Sequence, residues 1–460
     1  MRQNNLLDTD SYKPSHYLQF PPGTEWMYSY LESRGGRYDQ TVFFGLQYLL
    51  KRYLDGCFVT VAEVDEAAGF LRAHGEPFNR GGWMRVAREH QGRLPIRIRA
   101  VPEGMVVPTG NVLLSAESTD PACFWLVSWL ETQIVRLWYP ITVATQSWHI
   151  KRDILQYLRE TCEQPLRQLP FKLHDFGSRG VSSRESAGIG GMAHLVNFRG
   201  SDTIEGVRYA NHYYDCAMSG VSIPAAEHSS ITMWGKDREE DAYRYMLDQF
   251  AQPGAMLACV SDSYDFYRAV GELWCGTLLD QIRVSGATLV IRPDSGHPPT
   301  VVRKTLELID AKVGCSINSL GFKVLPPYFR VIQGDGINQE SIRDILCEVV
   351  RAGYSAENVT FGMGGALLQQ LDRDTQQFAF KCSAAQIQGE IIDVYKDPVT
   401  APEKRSKRGI LALVRTPDGE LTTVAGPVEG DLLDTVFENG RILRTTTLDQ
   451  VRLRADEGIG

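Results

Sequence analysis

The middle of the chain alternates between short apolar segments and longer amphipathic stretches. Eight apolar or β-branched segments each end in glycine and polar groups: FKLHDFGSRG, AHLVNFRGSD, GVSIPAAEHS, MLACVSDSYD, ATLVIRPDSG, PYFRVIQGDG, NVTFGMGGAL and QFAFKCSAAQ. Most are separated by stretches with helical spacing, such as DREEDAYRYMLDQF, TVVRKTLELIDAK and NQESIRDILCEVVRAG. This alternation predicts repeated βα units around a parallel sheet.

Seven or eight βα units favour an irregular (β/α) barrel, although the periodicity also permits an open doubly wound sheet. In a barrel, the residues that follow the strands converge on one mouth. That mouth would bring together residues that are far apart in sequence: Phe176, Arg179, Asp202, His228, Asp262, Arg292, Asp294, Asp335, Gly364 and Lys381.

Both ends of the chain have an antiparallel-β character. EWMYSYLES, IRIRAVPEG and NVLLSAES near the start are strand-like, and two hairpins near the end turn at Pro417–Gly419 and Asn439–Gly440. The expected fold is therefore α/β, with an irregular barrel of seven or eight parallel strands and a second, mainly antiparallel α+β domain built from both termini. We place the barrel at residues 141–390 and the second domain at 1–140 and 391–460.

Composition narrows the class of partner. The 460 residues carry a net charge of −8 and nine dispersed cysteines, without a CxxC pair. This charge gives no general attraction for nucleic acid or an anionic membrane, so anionic ligands must be bound by local Arg and Lys. The cysteine pattern and the absence of an apolar signal or spanning segment lead us to expect a cytoplasmic protein.

The strand ends carry groups that suit phosphates. Arg179 and Arg292 follow different strands, and a guanidinium binds phosphate or pyrophosphate through two parallel hydrogen bonds. Glycine turns at Gly334–Gly336 and Gly362–Gly365 allow backbone amides close to a ligand, and neither matches a P-loop or Rossmann motif. Three carboxylates offer oxygen ligands for Mg²⁺ shared with substrate phosphates: Asp262, Asp294 and Asp335. These groups predict a barrel enzyme that acts on a sugar phosphate or pyrophosphate.

His228 lies among these charged groups, beside Glu227 at the end of an apolar segment. An imidazole surrounded by arginine, carboxylates and glycine turns is a candidate for acid–base or nucleophilic chemistry. Phe176 is placed to stack on a flat ring. Structural alternatives remain open, namely a core aromatic at Phe176 and an ion pair between Arg292 and Asp294.

Seven blocks, in order along the chain, closely resemble the nicotinamide phosphoribosyltransferase family of type II phosphoribosyltransferases: DSYKPSHYLQFPPGT, HDFGSRGVSSRESAGIGGMAHLVNFRGSDT, SIPAAEHSSITMWGKD, SDSYDFY, IRPDSG, LPPYFRVIQGDG and FKCS…VYKDPVTAPEKRSKRG. The trimmed form fits a bacterial origin. The resemblance implies transfer of phosphoribosyl from 5-phosphoribosyl 1-pyrophosphate to nicotinamide, giving nicotinamide mononucleotide and pyrophosphate in NAD salvage. It also implies Mg²⁺, ATP as co-substrate, and a homodimer whose active sites are completed by the other subunit.

The resemblance assigns residues to these ligands. Phe176 and the partner subunit's Tyr12 would sandwich the pyridine ring, and Asp202 would hold the carboxamide. Ribose, phosphate and pyrophosphate would be bound by a larger set: Arg179, Arg292, Asp294, Gly334, Asp335, Gly365 and Arg373. Four further cations would face the phosphates, some across the dimer interface: Arg34, Lys381, Lys396 and Lys404.

The resemblance also makes His228 the residue that ATP phosphorylates. Asp262, rather than Glu227, is expected to orient the imidazole, and Asp294 completes the catalytic set. Asp262 and Asp294 are the expected Mg²⁺ ligands.

The charge of Asp202 bears on the choice of base. It would repel the carboxylate of nicotinate by on the order of several kcal/mol in a poorly hydrated pocket, which favours nicotinamide. The alternatives are a nicotinate phosphoribosyltransferase and a catalytically silent homologue that acts as a binding protein. Ser178 stands where the family often has an aromatic residue, which puts affinity for the ring in question.

Overall fold

The computed structural model describes residues 4–400 and 405–459, and these residues form two compact units. Unit 1 consists of the chain up to Thr145, Ala210–Cys216, and the chain from Leu371 onward. Unit 2 consists of Gln146–Tyr209 and Ala217–Gln370. Unit 1 is thus built from both ends of the chain, as the fold class predicted.

The described residues contain nineteen strands, numbered in chain order. They are β1 Thr24–Ser33, β2 Gln40–Val42, β3 Ile96–Ala100, β4 Val106–Pro108, β5 Val112–Ser118, β6 Leu173–Asp175, β7 Gly200–Ser201, β8 Met256–Val260, β9 Thr288–Arg292, β10 Ser316–Ile317, β11 Lys323–Val324, β12 Phe329–Gln333, β13 Val359–Met363, β14 Phe378–Ile387, β15 Glu390–Asp393, β16 Leu411–Arg415, β17 Leu421–Ala425, β18 Asp434–Glu438 and β19 Arg441–Ile442.

The α-helices are α1 Leu46–Leu49, α2 Val61–His74, α3 Arg80–Arg88, α4 Leu126–Trp129, α5 Glu131–Val135, α6 Trp138–Thr161, α7 Pro165–Gln168, α8 Arg184–His194, α9 Ile204–Tyr213, α10 His228–Thr232, α11 Glu239–Phe250, α12 Phe266–Arg268, α13 Leu279–Ser285, α14 Pro298–Val313, α15 Gln339–Arg351, α16 Gly365–Leu368 and α17 Leu448–Glu457. Two π-helical segments, Leu50–Leu54 and Ala269–Thr277, continue α1 and α12. Within the described ranges, no helix combines the length and apolar character needed to cross a membrane.

Unit 2 contains a parallel sheet in the order β7-β6-β13-β12-β9-β8. Every neighbouring pair in this sheet is parallel. The amphipathic stretches between the apolar segments form α11, α14 and α15, which confirms the predicted βα alternation. Because all these strands run the same way, the residues that follow them lie at one end of the sheet.

Residues 221–226 supply a seventh parallel element, which closes the sheet. Val221 forms a parallel bridge with Gly200 in β7, and Ala225 forms one with Ala258 in β8. Since β7 and β8 are the two edges of the six-stranded sheet, these bridges connect its edges. The prediction of an irregular barrel is therefore confirmed, with seven parallel elements.

The eighth apolar segment, QFAFKCSAAQ, was wrongly assigned to the barrel. It forms β14, which pairs antiparallel with β1 in unit 1 and places Lys381 opposite Tyr30. A barrel closed by seven elements has no free edge for another strand, whereas β1 offers one. Lys381 consequently does not belong to a barrel strand, and residues 371–390 lie in unit 1 rather than with the barrel.

Unit 1 is organised around an antiparallel sheet in the order β15-β14-β1-β5-β3-β18-β19. The strand-like segments near the start of the chain form β1, β3 and β5. The two predicted hairpins are present as β16–β17 and β18–β19, both antiparallel. The antiparallel character of both chain ends is therefore confirmed.

Two glycines allow α8 and α9 to approach closely in unit 2. A Cβ built at Gly206 would lie 2.6 Å from the Cα of Gly191. We expect Gly206→Ala to lower the free energy of unfolding by about 1–3 kcal/mol, because the backbone must move to admit the methyl group. The matched control is Gly69→Ala in α2, where the added Cβ meets nothing within 4 Å. That change should stabilise the protein by up to about 1 kcal/mol through helix propensity. Urea unfolding of both variants measures these effects, and an undiminished stability of Gly206→Ala would contradict the packing argument.

Candidate active site

Phe176 follows β6 directly and packs against glycines from two neighbouring strand ends. A Cβ built at Gly362 would lie 1.9 Å from Cε2 of Phe176, and one built at Gly334 would lie 3.1 Å from the same atom. The Phe176 backbone N–H donates to the carbonyl of Met363 at 2.9 Å. Gly334 and Gly362, which were predicted to let a ligand approach the backbone, therefore leave space for the ring of Phe176 at the barrel mouth.

His228 begins the short helix α10, and its imidazole faces two carboxylates from other strand ends. Nε2 lies 2.9 Å from Oδ1 of Asp262, and Nδ1 lies 3.9 Å from Oδ2 of Asp294. The other oxygen of Asp262 accepts hydrogen bonds from the Asp294 backbone N–H and the Ser295 hydroxyl. The Asp262 side chain is 6% exposed, against 47% for His228. A largely buried carboxylate thus holds an accessible imidazole.

Glu227 turns away from the imidazole that follows it. Its carboxylate accepts a hydrogen bond from the Ser229 hydroxyl, and its backbone N–H donates to Ser230 at 3.2 Å. These contacts belong to the first turn of α10. The structure therefore places Asp262, and not Glu227, beside His228.

Asp202 is held by a serine that the sequence analysis missed. The Ser222 hydroxyl donates to Oδ1 of Asp202 at 2.5 Å. Ser222 belongs to the segment that closes the barrel, and Asp202 directly follows β7. The parallel bridge between Val221 and Gly200 brings the two residues together. Only this register, which cannot be deduced from periodicity, could have identified Ser222.

A cavity of about 440 Å³ extends along the inside of the barrel. Asp202 and Arg292 line it near the C-terminal ends of the strands. Its apolar wall is built from three strand residues and two hydrophobic side chains packed on them: Ala258, Val290, Ile332, Phe176 and Ile223. An apolar slot with one carboxylate and one guanidinium near its mouth suits a flat ring with a polar substituent.

The two arginines at the mouth differ in their surroundings. Nε of Arg292 is buried and has no hydrogen-bond partner among the described residues. A buried cationic nitrogen without an acceptor is unfavourable, so a bound anion would relieve it. Arg179 is exposed in the short turn Ser178–Gly180, which packs against the second glycine turn: a Cβ at Gly180 would lie 3.4 Å from the Cα of Gly365. Asp335 is exposed near Gly334.

The opposite end of the cavity carries charged residues that the sequence analysis missed. Lys172 donates to the carbonyls of Glu357 at 2.7 Å and Val359 at 3.1 Å. Burial, together with the nearby charge of Arg330, lowers the pKa of Lys172 to about 7. Lys172 and Glu357 precede their strands and Arg330 lies at the start of β12, so a pattern of polar residues that follow strands does not include them.

Four predicted site residues meet in a second cavity, of about 880 Å³, that belongs to unit 1. They are Tyr12, Arg34, Arg373 and Lys381. Carboxylates line the same cavity, among them Asp10 and Glu131. Burial lowers the pKa of Lys381, and the neighbouring Arg34 charge acts in the same direction. Of the predicted ring and phosphate residues, these four line the cavity of unit 1, whereas Phe176, Asp202 and Arg292 line the cavity of unit 2.

One cluster with the spacing of a metal site is found in the described part of the chain, formed by His90, Asp120 and Cys123 in unit 1. Asp120 already accepts hydrogen bonds from Arg85 at 2.8 Å and His90 at 2.7 Å. Burial and the charge of Asp120 raise the pKa of the Cys123 thiol to about 12. Both oxygens of Asp120 are thus bonded within the protein, Oδ2 to Arg85 and His90 and Oδ1 to the Ala122 N–H, and the cluster is an ion-pair centre.

Comparison with known proteins identifies the family. Residues 171–441 match the sequence model of the nicotinate phosphoribosyltransferase (NAPRTase) family, and residues 4–98 match that of the nicotinamide phosphoribosyltransferase N-terminal domain. A nicotinamide phosphoribosyltransferase of Xanthomonas campestris pv. campestris (strain 8004) is 57% identical over 462 residues, covering 98% of both chains. The chain belongs to the nicotinamide phosphoribosyltransferase family. It is therefore an enzyme of the phosphoribosyltransferase class.

More distant proteins agree with this assignment. A nicotinamide phosphoribosyltransferase of Acinetobacter baylyi is 31% identical, covering 98% of this chain and 97% of that one. The structure of nicotinate-nucleotide pyrophosphorylase from Pyrococcus furiosus superposes with a TM-score of 0.62 at 16% identity, covering 99% and 96% of the two chains. Human nicotinic acid phosphoribosyltransferase gives 0.55 at 17%, covering 98% and 93%. At these identities, the two structures show a shared fold alone.

The remaining cations predicted from the family pattern lie elsewhere. Lys396 is exposed, and its backbone pairs with Ser406 through hydrogen bonds of 2.9 and 3.0 Å. Lys396 is not among the residues that line either cavity. Lys404 falls outside the described residues.

A further buried carboxyl, Asp175, supports the mouth of the barrel in this family member. Its Oδ1 accepts a hydrogen bond from the Gly177 backbone N–H at 2.7 Å, and its carbonyl accepts one from the Asp202 N–H at 2.9 Å. Asp175 therefore anchors the turns that follow both β6 and β7. Burial raises its pKa from 3.8 to about 6.

The raised pKa of Asp175 predicts a pH-dependent stability. Between pH about 4 and 6 the folded protein binds more protons here than the unfolded chain does, so this residue's contribution falls as pH rises. Asp175→Asn keeps an acceptor for Gly177 but cannot ionise. We expect its stability relative to the parent to rise by about 2 kcal/mol between pH 4 and 7. Urea unfolding across this range measures the difference, and a difference that does not change with pH would contradict the assignment.

Proposed function

We propose that the protein transfers phosphoribosyl from 5-phosphoribosyl 1-pyrophosphate to nicotinamide, giving nicotinamide mononucleotide and pyrophosphate. The observation that carries this choice of base is the carboxylate of Asp202 beside Phe176, at the end of an apolar slot. Ser222 donates to one oxygen of Asp202, which leaves the other free to accept a hydrogen bond from the amide of nicotinamide. Nicotinate carries a carboxylate in place of that amide and would be repelled.

The groups at the mouth suit the transfer step. The pyridine nitrogen forms a bond to C1 of the ribose while the bond from C1 to the pyrophosphate oxygen breaks. The leaving pyrophosphate keeps the electron pair, and no proton has to move. Arg179 and Arg292 would stabilise its growing negative charge. Phosphate and ribose contacts would come from the neighbouring turns at Asp294, Gly334, Asp335 and Gly365.

We further propose a homodimer, because unit 1 holds a separate cationic cavity. In this arrangement the partner subunit's Tyr12 would cover the face of the pyridine ring opposite Phe176. The cations of that cavity, Arg34, Arg373 and Lys381, would face the phosphates, with Lys396 and Lys404 nearby in sequence. Clustered cations with one lowered lysine pKa are typical of a site that receives an anion.

ATP would act through phosphorylation of His228. Because ionised Asp262 can only accept a hydrogen bond, Nε2 must carry the proton, and the lone pair of the neutral imidazole then lies on Nδ1. In this proposal Nδ1 attacks the γ-phosphorus of ATP while the bond to the ADP oxygen breaks. The accessibility of the imidazole and the burial of Asp262 support it.

Asp294 fits Mg²⁺ better than Asp262 does. Both oxygens of Asp262 already accept hydrogen bonds, from His228 and from the Asp294–Ser295 turn. Asp294 is partly exposed and lies near the glycine turn at Gly334. Mg²⁺ held by Asp294 together with the substrate phosphates would neutralise their charge. We therefore propose Asp294 as its protein ligand and leave Asp262 with the imidazole.

The direct test compares nicotinamide with nicotinate at equal concentrations, with phosphoribosyl pyrophosphate, ATP and Mg²⁺. We expect a preference for nicotinamide of at least about 100-fold in kcat/KM, which corresponds to about 2.7 kcal/mol. Asp202→Asn should reduce that preference by about tenfold or more, because the amide can also donate to a carboxylate. Mass spectrometry of the mononucleotide products measures both ratios.

The same assay separates the alternatives. The NAPRTase family model, which matches more than half of the chain, favours a nicotinate phosphoribosyltransferase as the second candidate. Better use of nicotinate by the parent protein would establish that candidate. Consumption of neither base would point to a silent homologue that acts as a binding protein.

The phosphorylation proposal predicts a separation of two activities. His228→Ala should abolish ATP hydrolysis but leave weak ATP-independent synthesis of the mononucleotide, because the base and phosphoribosyl contacts remain. Asp262→Asn should slow phosphorylation by about tenfold or more, since it removes the charge that stabilises the imidazole tautomer. Glu227→Gln is the matched control and should keep the parental rate. Incorporation of acid-labile phosphate from labelled ATP, resolved by isomer-specific antibodies, should show phosphate on Nδ1. Labelling of His228→Ala would contradict the assignment.

A further inference from the structure

Glu32 is a buried carboxylate held between two cations in unit 1. Its side chain is 3% exposed, and Oε1 lies 2.8 Å from Nε of Arg34. Oε2 pairs with Nζ of Lys407. The Tyr30 hydroxyl lies 3.4 Å from Oε1 and accepts a hydrogen bond from the Lys407 backbone N–H at 2.9 Å. One carboxylate therefore links β1 to the segment that carries Lys407.

The position of Glu32 in β1 explains these contacts. Side chains alternate across a strand, so Tyr30 and Glu32 share one face of β1, and Arg34 follows immediately after its end. Lys381 of β14 stands opposite Tyr30 and therefore on the same face. Arg34 and Lys381 both line the cavity of unit 1. Glu32 thus contacts one cation of the proposed phosphate-binding set, Arg34, and shares a strand face with the neighbourhood of a second, Lys381.

Arg34 has one terminal nitrogen of its guanidinium without a partner. Glu32 contacts Nε, whereas Nη2 is buried and has no hydrogen-bond partner among the described residues. A guanidinium binds an anion best when two parallel N–H groups are presented together, so its orientation matters as much as its charge. The contact at Nε fixes the plane of the guanidinium, and Nη2 lies beside Nε on the same edge with no partner of its own.

The cations near Lys407 have partners of their own. Arg405 bonds both oxygens of Asp397, and Arg408 lies 4.0 Å from Asp393. Lys407 likewise forms an ion pair with Glu32. Lys407 therefore serves to balance the buried charge, and Arg34 is the cation of this group that faces the cavity with an unpartnered nitrogen.

We propose that Glu32 is a positioning residue that holds Arg34 ready to bind an anionic group of the substrate, with Lys407 as its structural counter-ion. The inference rests on the proposed function, because it assumes that Arg34 meets a phosphate or pyrophosphate. Removing the carboxylate would leave two neighbouring cations without their shared partner. Arg34 would then lose the contact that orients its unpartnered nitrogen.

The first test measures KM and kcat in Glu32→Gln, Glu32→Asp and the parent. Glu32→Gln should raise KM for phosphoribosyl pyrophosphate by about tenfold with kcat changed by less than about threefold, since a binding group is misoriented while the reacting groups are intact. Glu32→Asp retains the charge but is one methylene shorter and cannot reach both cations. We expect it to raise KM in the same way. Unchanged KM values in both variants would overturn the proposal.

A double-mutant cycle identifies the residue through which Glu32 acts. Arg34→Ala should raise KM by about tenfold or more in the parent but by less than about threefold in Glu32→Gln, because the same contact is already impaired. Independent, multiplicative effects would overturn the positioning role. The control is Lys407→Met, which should leave KM within about twofold of the parent. An increase as large as that of Glu32→Gln would show that Lys407 itself binds the substrate.

The double variant Glu32→Gln with Lys407→Met is the control for effects on folding. It removes one charge of each sign, so its melting temperature should recover towards that of the parent, whereas KM should stay raised. Recovery of both would show that Glu32 only balances charge, which overturns the proposal. Titration of the full-length variants with inorganic pyrophosphate separates this result from failure of the proposed function. If the parent forms no mononucleotide, the proposed function fails. Weaker binding of pyrophosphate by Glu32→Gln than by the parent would still support the positioning role of Glu32, and equal binding would overturn it.

Discussion

The closure of the barrel by residues 221–226 is the constraint on which the rest of the site depends. This segment pairs with β7 through Val221 and with β8 through Ala225, using backbone hydrogen bonds that any sequence could form. What its own residues add is chemistry at defined places. The Ser222 hydroxyl donates a hydrogen bond to Asp202, and His228, which follows the segment, is hydrogen-bonded to Asp262. A single backbone connection thus positions both the proposed base-binding carboxylate and the proposed phosphate acceptor.

The distribution of satisfied and unsatisfied polar groups separates supporting residues from binding residues. Asp262 and Glu32 are largely buried, and both carboxylate oxygens of each have partners within the protein. By contrast, Nε of Arg292 and Nη2 of Arg34 are buried nitrogens without an acceptor in the described structure. Since buried donors are normally paired, these two nitrogens mark the places where an anion would be most favourable. One of them lies in each unit.

The sequence predicted the architecture well because architecture follows from periodicity. Apolar segments and helical stretches determined the parallel barrel, and strand-like patterns with turn residues determined the antiparallel unit. Periodicity failed for QFAFKCSAAQ, since an apolar strand looks alike whether its partners are parallel or antiparallel. Ser222 and Glu32 were missed for a related reason: their importance comes from register and from partners distant in sequence. Lys172 and Arg330 lie at the N-terminal ends of their strands, where the sequence pattern of polar turns after strands gives no signal.

Ser178 differs from the family pattern in the turn that follows Phe176. The family often has an aromatic residue there, and its loss raised the question of whether the ring site is intact. Phe176 is positioned by the backbone of Met363 and by the space at Gly362, neither of which involves residue 178. The following turn is held by the bond from Gly177 to Asp175, and Ser178 itself is exposed. Replacement of an aromatic residue by serine therefore removes a ring from this turn, while Phe176 keeps its position. In the proposed function, Ser178 would affect how tightly the base is held, whereas the reaction class depends on the groups at the strand ends.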